Sequence, residues 1–149
     1  MRVLLVGCVL AFAGFAVARA DDEEARKKEL KALQGTWKVV AAEQDGDPLD
    51  RIVGGLLTIK ENNFVIKTTG GTELEGDLIL NPSKKPKQID FAHQKGLLKD
   101  KTWQGIYELK DDTLKFCYAE ADSDKERPTE FKTLKKSRLL LIEMKRDKK

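Results

Sequence analysis

From Thr36 to Met144 the chain changes hydrophobic character every second residue, in about eight short runs separated by turn signals. Trp37, Val39 and Ala41 alternate with Lys38, Val40 and Ala42, and Asp45-Gly46 makes a turn. Leu57 and Ile59 mark a second run, closed by Glu61-Asn62-Asn63. Phe64 to Lys67 makes a third, with Gly70-Gly71 as the next hairpin. Leu74, Gly76, Leu78 and Leu80 then face away from Glu73, Glu75 and Asp77 until Asn81-Pro82 breaks the strand. Ile89 and Phe91 mark a fifth run and Trp103 to Leu109 a sixth. Asp111-Asp112 turns the chain into Leu114 to Tyr118. A polar loop from Glu120 to Arg127 precedes Pro128 to Phe131, a candidate short strand or bridge. Leu139 to Met144 closes the pattern as the most apolar run.

Strict alternation is the signature of half-buried strands, whose side chains point to opposite faces. Strands roughly ten residues apart, joined by tight turns, predict an all-β, up-and-down antiparallel meander. With eight strands such a sheet closes into a barrel and loses its edges. The apolar last run fits closure, because pairing with the first strand buries it on both sides. A β-sandwich is the alternative, and the lack of a long crossover favours the barrel.

The ends of the chain have a different character. Residues 1–20 read as a signal peptide: Arg2, an apolar run from Val3 to Val17, then Ala18-Arg19-Ala20 with the small-x-small shape of a cleavage site. That run is too short to predict a membrane span. Cys8 precedes most of it, where a lipid-attachment box would need its cysteine afterwards. Residues 21–34 are expected as an N-terminal helix, capped by Asp21 or Asp22 with Lys27, Lys28 and Lys31 towards its end, and residues 35–149 as the barrel domain. The helix has a thin apolar stripe (Ala25, Leu30, Ala32, Leu33), which suits a lid or plug. Of 28 basic residues, Arg2 and Arg19 fall in the leader, leaving 26 against 25 acidic ones. Mixed charge of that balance predicts a solvated surface and no nucleic-acid partner. Cleavage leaves Cys117 alone, so no internal disulfide is expected, and the mature protein is read as an exported monomer.

Gly35-Thr36-Trp37 stands where the helix ends and the first strand begins, and resembles the opening motif of lipocalins. There the tryptophan packs at the closed end of the barrel under a basic side chain from the end of the last strand. The resemblance implies structural roles for Gly35, Trp37 and Arg146, with Arg138 as the second choice of cation. Leu33 to Trp37, Ala42 to Gly46, Asn81 to Asp90, Gly105 to Leu109 and Lys125 to Phe131 together resemble a more specific family. It is the small secreted lipocalin-like domain found as many paralogues in planctomycete-type bacteria. The likeness runs from about Leu30 to Met144 and implies a calycin-type barrel in an exported protein. It brings no activity and no defined site residues.

Catalytic chemistry finds little support. His93 is the only histidine, no serine sits in a nucleophile elbow, and the loop setting of Gln94-Lys95-Gly96 predicts exposure for His93. Asp122 to Glu126 is acidic but lacks the glycine and spacing of a calcium loop. No metal, cofactor or catalytic residue is assigned. Binding remains, with Phe64, Ile66, Leu74, Leu78, Tyr107, Phe116 and Tyr118 as candidate lining of an interior either filled or open to one small ligand. Gly76 and Gly105 leave room there or permit curvature. Arg127, its backbone fixed by Pro128, either meets a ligand carboxylate at the mouth or pairs with Glu130 or another loop acid. The expected function is binding of a small apolar or amphipathic ligand. The alternatives are a solid barrel acting as a protein-interaction or inhibitor module, and a hydrolase or isomerase working at the barrel mouth.

Overall fold

The computed structural model describes residues 14–121 and 126–148, with side chains from Arg19 onward. Most of the expected leader, Cys8 included, and Asp122 to Lys125 of the acidic loop lie outside the described residues. Among these residues one helix, α1 (Gly14–Leu33), is followed by nine strands. They are β1 (Gly35–Gln44), β2 (Asp47–Pro48), β3 (Leu56–Lys60), β4 (Asn63–Lys67), β5 (Glu73–Asn81), β6 (Lys87–Lys95), β7 (Thr102–Lys110), β8 (Thr113–Ala119) and β9 (Leu139–Arg146). A single 3-10 turn, Asp50–Ile52, joins β2 to β3.

Apart from the two-residue β2, each strand pairs antiparallel with the next, and β9 pairs back onto β1. The result is a closed eight-stranded antiparallel barrel, as the alternation predicts. Closure explains the apolar Leu139 to Met144 run, which lies between β8 and β1 with no free edge.

Three local expectations are corrected. The helix reaches back beyond Asp21 to Gly14, so Asp21 to Glu24 sit mid-helix and its first turn holds no acid. Pro128 to Phe131 forms no strand; it belongs to a loop laid against the outer wall. In β1 the alternation breaks after Val39. Val39 pairs with Met144 and Ala41 with Glu143, which leaves Val40 as the extra residue of a bulge. The bulge shifts the phase, so Ala42 packs against the core and Ala41 is exposed.

Two glycines let strands approach more closely than any side chain would allow. A Cβ on Gly76 would lie 2.0 Å from the Ala92 carbonyl oxygen, and one on Gly105 would lie 2.6 Å from that of Cys117. Curvature, not spare room, is what they provide.

The interior divides into two halves. The end nearest α1 is filled by Leu33, Trp37, Ile59, Phe64, Leu80, Ile89, Tyr107 and Leu114, each 2 % exposed or less. A smaller apolar layer lies outside the wall, where the loop carrying Pro128 and Thr133 covers Ile106, Cys117 and Ala119. Cys117 is fully buried there, its Sγ 3.9 Å from the Lys132 carbonyl oxygen, and burial pushes its thiol pKa up.

Candidate functional site

The end of α1 is tied into the barrel through every carbonyl that a helix terminus leaves unpaired. Gln34 Nε2 donates to the Leu30 carbonyl (2.9 Å) and the Gln34 amide to that of Lys31 (3.4 Å). Arg146 Nη2 donates to the Ala32 carbonyl (2.9 Å), and Trp37 Nε1 reaches back four residues to that of Leu33 (2.9 Å). Arg146 Nη1 also donates to the Gln34 carbonyl (2.6 Å), while its guanidinium carbon stands 4.1 Å from the Trp37 ring centroid. Such a cation–π contact contributes about 0.5–2 kcal/mol.

Gly35 is favoured by its φ of +112°, a conformation L side chains rarely adopt, and a Cβ there would stand in tight contact, 3.2 Å, with Arg146 Nη1. The Gly-Thr-Trp spacing therefore has a local physical cause. Arg138, the second choice of cation, is elsewhere, its amide donating to Asp45 Oδ1 (2.6 Å).

The opposite end holds a cavity of about 230 Å³. Its wall is made by inward residues of seven strands. Val39 comes from β1, Leu57 from β3, Ile66 from β4, Phe91 from β6, Phe116 and Tyr118 from β8, and Leu140, Ile142 and Met144 from β9. Trp103 of β7 joins them, stacked on Tyr118 with centroids 4.8 Å apart and planes at 14°. The mouth is framed by Leu49 and the 3-10 turn (Arg51, Ile52) on one side, and by Lys67, Thr68 and Leu74 on the other. Thr69 Oγ1 donates to the Arg51 carbonyl (2.8 Å) and pins that turn to the β4–β5 hairpin. Arg51 and Lys67 are the only charged residues in the lining.

The sequence-based candidates separate between the two halves. Ile66, Leu74, Phe116 and Tyr118 line the cavity. Phe64 and Leu78 face inward but belong to the filled core. Tyr107 also packs there, its hydroxyl donating to Glu29 Oε2 (3.1 Å) of α1, and Lys87 completes the tie to Glu29 Oε1 at 2.5 Å. Burial, with the Glu29 charge beside it, holds the Tyr107 phenol protonated well past its ordinary range.

Arg127 stands neither at the mouth nor against Glu130. Its Nη1 donates to Asp90 Oδ1 (2.6 Å) and to the Gly105 carbonyl (2.8 Å), clamping the outer loop to β6 and β7. Asp90 points outward between inward Ile89 and Phe91, so it is the acid nearest to hand.

His93 departs furthest from expectation. Strand β6 runs on to Lys95, so His93 continues the inward phase of Ile89 and Phe91 and is 2 % exposed. Gly76 pairs opposite it with no side chain to compete for the space. The imidazole lies edge-on to Trp103 (4.3 Å between centroids) and to Phe64 (5.2 Å). Neither ring nitrogen has a hydrogen-bond partner among the described residues, and burial lowers its pKa. The 89-91-93 alternation was the signal for it; the glycine at 96 hid it by suggesting an earlier strand end. Arg51 carried no such signal, because a turn residue has no periodicity to read.

No group of three or more histidine, cysteine, aspartate or glutamate side chains is arranged to hold a metal among the described residues. Nor is any described helix long and apolar enough to cross a membrane. No protein-family model, curated protein or solved structure matches the chain.

Proposed function

We propose that the chain is an exported, lipocalin-like binding protein that holds one small apolar or amphipathic molecule inside its barrel. The observation that carries this reading is the apolar cavity of about 230 Å³ opening beside the 3-10 turn. An eight-stranded barrel whose interior was wholly filled would serve through its surface instead. Here the filled half is confined to the α1 end, and the wall at the other end is almost entirely hydrocarbon and aromatic. Apolar surface of this kind, recessed and framed by a few polar groups, is the ordinary form of a small-molecule site. Export rests on Arg2, the Val3 to Val17 run and Ala18-Arg19-Ala20. Cleavage there would make Asp21 and Asp22 the first residues of the helix, where acids favour its dipole.

Native mass spectrometry of the protein from its own host, before and after denaturation, tests the reading. A small mass released on unfolding is the expected result. The variant Leu140→Trp, which extends a ring into the cavity, should lose that mass while remaining folded. A bound mass that survives cavity filling would place the ligand elsewhere and overturn the assignment.

A further inference from the structure

The cavity's size, its aromatic wall and the one cation of its lining that is unpaired among the described residues restrict what it accepts, beyond the broad class proposed above, on which this step rests. A dry protein cavity of about 150 Å³ accommodates benzene. One of about 230 Å³ has room for a single ring with a short side arm. A long-chain fatty acid or a porphyrin exceeds it.

The wall supplies matching surface. Trp103 and Tyr118 stack almost parallel, and Phe91 and Phe116 meet edge to face with centroids 5.4 Å apart. A flat ring entering beside them gains offset or edge contacts with the same quadrupolar geometry, each worth about 0.5–1.5 kcal/mol beyond burial. A flexible alkyl chain gains none of this and loses rotamer freedom on entry.

The rim adds a sign. Among the described residues both charged members of the lining are cationic, and none is a carboxylate. Lys67 Nζ stands 3.5 Å from Glu73 Oε2, a weak exposed pair. The Arg51 guanidinium has no ion-pair or hydrogen-bond partner among the described residues, although its backbone is held by Thr69. An unpaired guanidinium at the edge of an apolar pocket is suited to a planar carboxylate, which it can grip through two parallel hydrogen bonds. We infer that the ligand is a small aromatic carboxylate, its ring against Trp103 and Phe116 and its carboxylate on Arg51.

The experiment titrates the purified protein at pH 7.5 by calorimetry with four probes: cinnamate, its uncharged methyl ester, octanoate and toluene. Cinnamate should bind at least tenfold more tightly than the ester or octanoate. Arg51→Ala should remove that advantage, weakening cinnamate about tenfold and leaving the ester within twofold. Arg51→Lys should restore part of the loss. Arg51 is exposed, so an unchanged melting temperature should accompany both variants. Equal binding of acid and ester, or indifference of cinnamate to Arg51→Ala, overturns the carboxylate anchor. Octanoate binding as well as cinnamate overturns the aromatic selectivity. In either case toluene binding would leave the apolar cavity intact. Failure of all four probes, toluene included, would sink the ligand-binding reading together with this one.

Discussion

The two ends of this barrel are built on opposite principles. At the α1 end the helix terminus and the charged groups beside it are paired. The last four carbonyls of the helix accept hydrogen bonds, Arg146 is shared between Trp37 and the chain before it, and Glu29 is held by both Tyr107 and Lys87. At the mouth the wall stops short of filling the interior and Arg51 is left without a charged partner among the described residues, while behind Trp103, buried between it and Phe64, His93 keeps two unpartnered nitrogens. Packing to native density and saturating polar groups both stabilise a fold. The end that forgoes them is the end with room for something else. The difference separates a saturated pole from one that keeps open space, and the proposed binding role belongs to the second.

Breaking the closed end should have the largest effect. Trp37→Ala removes a fully buried indole, its hydrogen bond to Leu33 and the seat of Arg146, and should cost about 3–5 kcal/mol in urea unfolding. A loss below about 1 kcal/mol would show that this pole is less saturated than its geometry indicates.

Next in size is the buried polar defect at His93. His93→Phe replaces two unpartnered buried nitrogens with carbon, and at pH 7 should stabilise the fold by about 1 kcal/mol. The same variant sharpens the comparison through pH. The native pKa of His93 is depressed by burial, while the unfolded chain titrates near 6.5. Above that pH both states are neutral and the histidine adds no pH dependence. As pH falls below 6.5 the unfolded state takes up a proton that the folded state refuses, so stability is lost. The loss approaches about 1.4 kcal/mol per pH unit until the native pKa is reached. His93 is the only histidine in the chain, so His93→Phe should flatten the urea midpoint between pH 7 and 5.5. An unchanged slope would mean that the ring protonates in place.

The smallest effect belongs to Arg51→Ala, which should alter stability by less than about 0.5 kcal/mol because the residue is exposed and its guanidinium has no partner among the described residues. Its value to the comparison lies in that contrast with Trp37. A destabilisation of 2 kcal/mol would move Arg51 into the structural class and weaken its role at the mouth.

Much of the architecture was legible because it depends on periodicity. Alternation gave the strands, the apolar Leu139 to Met144 run gave closure against β1, and Gly35-Thr36-Trp37 marked the saturated pole. The departures share a cause. Val40 bulges because β1 must bend against β9, and no propensity of its own foretells it. His93 is inward because β6 continues past the point where Lys95-Gly96 suggested a turn. Arg127 lies on the outer wall because the long loop folds back over β6 and β7, a matter of tertiary path. Phe64, Leu78 and Tyr107 share the inward phase of Ile66, Phe116 and Tyr118. Phase cannot say how far along the axis each residue sits, and that height separates filled core from cavity wall.

The sequence by itself determined an alternating sheet able to close, the glycine that ends the helix, and the tryptophan that reaches back to it. These are local, set by backbone sterics and by side chains a few residues apart. Only the tertiary structure decided which inward residues meet empty space and that Arg51 would stand beside it. Those outcomes depend on strand tilt, register and the path of loops, which bring together groups far apart in the chain.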